Sequence, residues 1–195
     1  MASGTAGLIA GLVAGDGRPD GYAVDYGGTS IQYGIMLGTE AVNTAQNANI
    51  KVYSGGGDIR MQGMITTVVG GGGNGPTGLI AYQGINVDAG LQGNLRLLGT
   101  ANASTQYPVG IDLQAWRGTA GVTSTLRTQN GDIQIVGRST GATSSGVGLS
   151  MLAQDDTRRV VMAATGTGSV TIDGKAVGTS PTDFAMSAVD VLAAS

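Results

Sequence analysis

The residue types that come nearest to chemistry in this 195-residue chain are two adjacent acids followed closely by two guanidiniums, Asp155-Asp156 and Arg158-Arg159. Paired carboxylates can cleave glycosidic bonds or ligate calcium, provided that they converge on one face. Neighbouring residues of a strand point to opposite faces and those of a turn are solvated, so this group reads as surface charge. A second set, Asp58, Asn94, Asp132 and Ser169, recurs beside a glycine at a near-constant interval, and side-chain capping of a turn explains it better than metal binding. The run Gly70-Gly71-Gly72-Gly73-Asn74-Gly75-Pro76 has the flexibility of a phosphate cradle but lacks the Gly-Lys-Ser/Thr and helix of a P-loop, and is expected to form a flexible corner. The calcium-binding nonapeptide of β-rolls is not matched, since Gly55-Gly56-Gly57-Asp58 occurs once and out of frame. The chain has no histidine, and its lack of cysteine excludes disulfides, thiolate metal sites and cysteine nucleophiles. The residues therefore point to no catalytic, cofactor or metal site.

Recognition is the remaining chemistry. Trp116, the single tryptophan, could form a stacking surface with Tyr82, Tyr107 and Arg117, because exposed aromatic rings suit pyranose faces and protein anchors alike. The same side chains could equally pack against a corner loop. The candidate ligand surface is thus Trp116, Arg117, Tyr82 and Tyr107, flanked by the loop Gly70, Gly71, Gly72, Gly73, Asn74 and Gly75. Asn102-Ala103-Ser104 fits a glycosylation sequon, a pattern short enough to arise by chance.

What must position these residues is a repeat. Gly57-Asp58-Ile59-Arg60-Met61-Gln62-Gly63 returns as Gly93-Asn94-Leu95-Arg96-Leu97-Leu98-Gly99, as Gly131-Asp132-Ile133-Gln134-Ile135-Val136-Gly137 and as Gly168-Ser169-Val170-Thr171-Ile172-Asp173-Gly174. The spacings are 36 (57 to 93), 38 (93 to 131) and 37 (131 to 168), and a steady period of this size marks a stacked repeat protein. Ahead of each copy stands Gly34-Ile35-Met36-Leu37, Gly78-Leu79-Ile80-Ala81, Gly110-Ile111-Asp112-Leu113 or Gly148-Leu149-Ser150-Met151. A third apolar pair lies between them: Ile50 and Val52, Ile85 and Val87, Ser124 and Leu126, Val161 and Ala163.

Alternation at period two predicts three short strands per repeat, each with one buried face. One such rung cannot form a core. Rungs laid parallel at roughly 4.8 Å pair their backbones and align like side chains, so Ile59, Leu95, Ile133 and Val170 should share one column and Met61, Leu97, Ile135 and Ile172 the next. Glycines at the strand ends are expected to serve sharp corners. The fold class that follows is all-β, a single-stranded parallel, right-handed β-helix of about four to five rungs. The connection from Gly63 to Gly78 spans 15 positions against 11 for Gly99 to Gly110 and Gly137 to Gly148, and such length changes fall in protruding loops.

Composition agrees. Thirty-six glycines and only 4% aromatics leave too little bulk for a conventional core, whereas 41% hydrophobic residues exceed what a disordered linker holds. A net charge of −3 with few, scattered Arg and Lys argues against nucleic acid as a partner. The apolar stretch Leu8 to Ala14 lacks a basic n-region and is far shorter than a membrane span, so neither a signal peptide nor membrane insertion is expected.

Three segments result: 1–30 as an N-terminal cap or irregular first rung, 31–178 as β-helix repeats of period about 37, and 179–195 as a C-terminal cap or linker. Ser180-Pro181-Thr182-Asp183 resembles a helix start, and Phe184, Ala188, Val191 and Leu192 would share one helical face. A capping helix over the last rung is therefore expected, or else another irregular rung.

The order Gly-Ile-x-Leu, Ile-x-Val, then Gly-Asp-Ile-x-Ile-x-Gly with a Gly/Ser/Thr/Asn loop resembles the repeats of filamentous haemagglutinin-like adhesins of two-partner secretion systems and related autotransporter passengers, over roughly residues 31 to 178. The resemblance does not extend to that family's amino-terminal secretion domain or to a translocator. It implies a non-enzymatic stalk, secreted or at the cell surface, that binds a host or bacterial cell-surface protein or glycan. Phage virion proteins such as tail fibres, tailspikes and decoration proteins are similar in being β-helical, glycine-rich and poor in cysteine, and they usually trimerise. A polysaccharide lyase or hydrolase would need convergent acids and bases on one column. A filament subunit would stack its ends, so a homo-oligomer by end stacking or trimerisation is a further expectation.

Overall fold

The computed structural model describes residues 21–22, 33–37, 50–65, 76–82, 84–102, 107–115, 122–141, 146–153, 157–186 and 189–193. Among these residues fifteen strands follow one another in threes. The first rung is β1 (Gly21–Tyr22), β2 (Tyr33–Leu37) and β3 (Ile50–Tyr53); the second is β4 (Ile59–Ile65), β5 (Thr77–Ala81) and β6 (Ile85–Asp88). The third is β7 (Leu95–Asn102), β8 (Val109–Ala115) and β9 (Ser124–Thr128); the fourth is β10 (Ile133–Thr140), β11 (Val147–Ala153) and β12 (Val160–Ala164). The fifth is β13 (Val170–Val177), β14 (Thr182–Met186) and β15 (Val189–Ala193).

Each strand pairs in parallel with its counterpart three places along the chain, which gives three five-stranded sheets. Sheet A orders β1-β4-β7-β10-β13, sheet B β2-β5-β8-β11-β14 and sheet C β3-β6-β9-β12-β15. The protein is a parallel β-helix, with five rungs among the described residues. All-parallel pairing over five rungs satisfies the inner strands on both edges, because each backbone N–H and C=O meets the rung above or below.

The expected columns form. Ile59, Leu95, Ile133 and Val170 are register partners, as are Met61, Leu97, Ile135 and Ile172. Sheet B contributes Ile35, Leu79, Ile111 and Leu149, and these columns meet in one continuous core between the sheets. In sheet C the register differs from the spacing argument at the fourth rung. Val160 faces Ser124 and Met162 faces Leu126, so Val160 and Met162 point inward instead of Val161 and Ala163. A slip of one residue exchanges faces, and burying the larger Met162 beneath Leu126 fills the column better than Ala163 would.

The opening glycines of the repeat phrase, Gly57, Gly93, Gly131 and Gly168, lie at the corners leading into sheet A as expected, but the closing ones, Gly63, Gly99, Gly137 and Gly174, lie inside strands and play another part. Gly99 lies inside β7 and Gly110 inside β8, and a β-carbon built on Gly99 would stand 2.1 Å from the Gly110 carbonyl oxygen. The same approach recurs between Gly63 and Gly78 at 2.0 Å and between Gly137 and Gly148 at 2.0 Å. Sheets A and B thus touch backbone to backbone along two glycine columns. At the corners, Gly55 and Gly90 hold φ of 68° and 75°, where a side chain is strained.

The capping helix does not form. Thr182–Met186 and Val189–Ala193 are strands of a fifth rung, with Phe184 opposite Leu149 and Val191 opposite Met162; Ala188 lies outside the described residues. A short isolated helix nucleates poorly, whereas the edge of the fourth rung offers a full set of backbone partners and apolar positions. Among the described residues no helix is long and apolar enough to cross a membrane.

Candidate binding face

The three outer faces are not equivalent. On sheet B the outward positions are covered: Ile80 and Tyr82 are buried with Met36 against them, and Gln114 and Ser150 are buried nearby, with Gln114 Nε2 donating to Asp112 Oδ2. Sheets A and C are open: alternation sends Arg60, Gln62 and Met64 of β4, and Arg96 and Thr100 of β7, into solvent on sheet A, and Lys51, Tyr53, Asn86 and Arg127 on sheet C.

Register turns these side chains into rows. Arg60, Arg96, Gln134 and Thr171 are successive partners across β4, β7, β10 and β13. Beside them, at the corner leading into sheet A, runs a polar ladder. Asp58 Oδ1 accepts from the Asn94 backbone N–H at 2.8 Å and from Asn94 Nδ2 at 3.0 Å. Asn94 Oδ1 accepts from the Asp132 N–H at 2.9 Å, and Asp132 Oδ1 accepts from the Ser169 N–H and hydroxyl, both at 2.8 Å. Asp58, Asn94 and Asp132 therefore each take the N–H of the next rung, and Ser169 ends the ladder as a donor. The two hydrogen bonds from Ser169 hold the Asp132 carboxyl below its ordinary value.

Between ladder and row lies a groove of about 390 Å³ lined by Asp58, Arg60, Asn94, Arg96, Asp132 and Gln134. Arg60 donates to Gln62 Oε1 at 2.8 Å. Arg96 stands directly beside Arg60, and like charges in facing positions of adjacent strands repel. Planar amide, carboxylate and guanidinium groups repeated at the rung spacing suit the hydroxyls and carboxylates of an extended ligand.

Further along the same face, Arg138 bonds Asp173 of the next rung, which lowers the Asp173 pKa. On sheet C, Arg127 pairs with Asp88 across the rungs. Burial pushes the Asp88 carboxyl up, but the Arg127 guanidinium and the Gly90 N–H outweigh it and leave the pKa lowered. Among the described residues no group of three or more His, Cys, Asp or Glu gathers as metal ligands do.

Of the aromatic surface expected from sequence, Tyr107 is 65% exposed in the connection just before β8, while Tyr82 is 6% exposed and packs on Ile80 and Met36, offering no open ring. Trp116, Arg117, the loop Gly70–Gly75 and the acids Asp155 and Asp156 lie outside the described residues. The row of Arg60, Arg96 and Gln134 forms no recognisable motif in the sequence, because arginine in an exposed strand position is common. Its signal was available: each occupies the same polar position of the repeat phrase. No family model, no curated protein and no solved structure matches the chain.

Proposed function

We propose that the protein is a non-enzymatic, structural and adhesive β-helix, a segment of a secreted or surface-attached adhesin that binds a cell-surface protein or glycan through the outer face of sheet A. One observation carries this reading: the face is an open surface of several rungs on which polar side chains repeat in register, from Asp58 to Ser169 and from Arg60 to Thr171. A surface of that form reads a long partner by many equal contacts, in contrast to an enclosed cleft that positions one small substrate. The repeat phrase, with its resemblance to filamentous haemagglutinin-like adhesins, supports the same assignment.

The test is a glycan and cell-binding array with the intact chain, then with Arg60→Ala and Arg96→Ala together. Binding should fall by about tenfold or more, as expected when charge-assisted contacts are lost. Deletion of Gly70 to Gly75 and replacement of Trp116 are the comparison. If binding follows those changes and ignores the arginines, this face is not the ligand surface. A concentration-independent trimer would favour a virion fibre instead.

A further inference from the structure

Arg60, Arg96, Arg127 and Arg138 all point outward from strands. Arg127 pairs with Asp88 and Arg138 with Asp173, each an acid on a neighbouring rung, and Arg60 donates to Gln62 Oε1. Arg96 differs. Among the described residues it makes no ion pair and no side-chain hydrogen bond, and its register partners are Arg60 on one side and Gln134 on the other. Facing guanidiniums cost stability, and a cation without an acid gains nothing to offset that cost. The corner ladder sharpens the contrast. Its side chain is an acid, Asp58 or Asp132, on the rungs of Arg60 and Gln134, but the neutral Asn94 on the rung of Arg96. Of the rungs that line the groove, the third is therefore the one with a net positive charge, and it lies between two carboxylates.

The side chains next to Arg96 are apolar. Leu98 and Val136 are register partners two residues further along β7 and β10, on the same outer face, and both are half-buried. Arg96 and Gln134 border this strip on one side, Thr100 and Arg138 on the other. A guanidinium beside a narrow apolar strip edged by an amide and a hydroxyl matches an amphipathic ring that carries an acid.

We propose that Arg96 anchors the single carboxylate of an acidic pyranose within an otherwise neutral glycan, and that the ring of this sugar lies on Leu98 and Val136. The inference rests on the assignment of sheet A as the adhesive face. The guanidinium offers parallel N–H groups to a planar carboxylate. The apolar pair covers the C–H face of the ring, while Gln134 and Thr100 meet its hydroxyls. Asp58 and Asp132, one rung to either side, repel further negative charge, so the groove selects against a densely anionic chain.

The experiment is a ligand-observed NMR titration of the full chain with a matched set of trisaccharides. The first has a glucuronate between two neutral hexoses; in the second its carboxyl is reduced to a hydroxymethyl; in the third a sulfate replaces it; the last is trigalacturonate. The glucuronate sugar should bind about tenfold or more tightly than its reduced counterpart, as a charge-assisted pair supplies, and more tightly than the other two. Arg96→Gln should abolish that preference and leave the weak binding of the reduced sugar, whereas Leu98→Ser should weaken both. Because Arg96→Gln relieves the facing charges, it should melt no lower than wild type. The proposal is overturned if no probe binds, if the reduced sugar binds as well as the glucuronate, if the preference survives Arg96→Gln, or if the sulfated sugar or trigalacturonate binds as tightly. A lower melt would give Arg96 a structural bond and overturn its assignment to a ligand. In each of these cases, array binding that still falls in the double arginine variant leaves sheet A as the adhesive face; array binding that ignores it is the separate failure of that broader reading.

Discussion

The carbonyl oxygen of Gly110 lies 2.1 Å from the point where a β-carbon on Gly99 would stand. This contact joins sheets A and B without side chains. A methyl group there meets backbone, which cannot rotate away, so the two sheets must separate or the strands must shift. Gly99→Ala should destabilise the protein by about 3 kcal/mol or more, the range of severe overpacking. Gly55→Ala, with positive φ but nothing within 4 Å, should cost only about 1 kcal/mol. Urea unfolding of both variants checks the order; equal losses would refute the close-approach account.

The register of sheet C predicts a second contrast. Met162 is fully buried under Leu126, whereas its neighbour Val161 is half-buried on the other face. Met162→Ala should cost about 2–5 kcal/mol, Val161→Ala less than about 1. Thermal melts that gave the reverse order would restore the alignment expected from spacing alone.

Acid should weaken the stack through Asp88, Asp132 and Asp173, whose carboxyls are all lowered from an ordinary value of 3.8. A folded pKa below the unfolded one contributes stability that is complete above the unfolded value and lost as pH falls through the folded value. Stability should therefore be level above about pH 5 and decline below about pH 4. Asp132→Asn keeps an oxygen for the Ser169 N–H yet no longer titrates, so its acid decline, followed by urea midpoints against pH, should be shallower than that of wild type.

Truncation tests the fifth rung. A chain ending at Gly178 loses β14 and β15 and uncovers Leu149 and Met162, both now fully buried. Its circular dichroism should lose strand signal and show no loss at the helical minima, and its melt should broaden as the end of the stack frays. Loss of a helical component would contradict the strand assignment.

Much of this architecture is legible in the amino-acid order. The phrase around Ile59, Leu95, Ile133 and Val170 fixes strand, period and register together, because identical spacing in successive repeats leaves only one alignment that buries every apolar residue. The ladder position of Asp58, Asn94, Asp132 and Ser169 is visible in the same way. Other features depend on contacts between residues far apart in sequence. Whether Val161 or Val160 faces inward turns on what fills the space beside Leu126, and the strand at Phe184 exists because the fourth rung has an edge to satisfy, against local signals for a helix. The binding face is of this second kind: Arg60, Arg96 and Gln134 become one row only when the rungs stack. The sequence by itself thus determined the period, the three strands of each rung and the columns of the core, since these follow from side-chain alternation. Only the tertiary structure decided that the closing glycines of the phrase serve the contact of sheets A and B, that the outer face of sheet B is covered and that the fifth rung is built of strands, since steric fit and edge pairing are properties of neighbours brought together by folding.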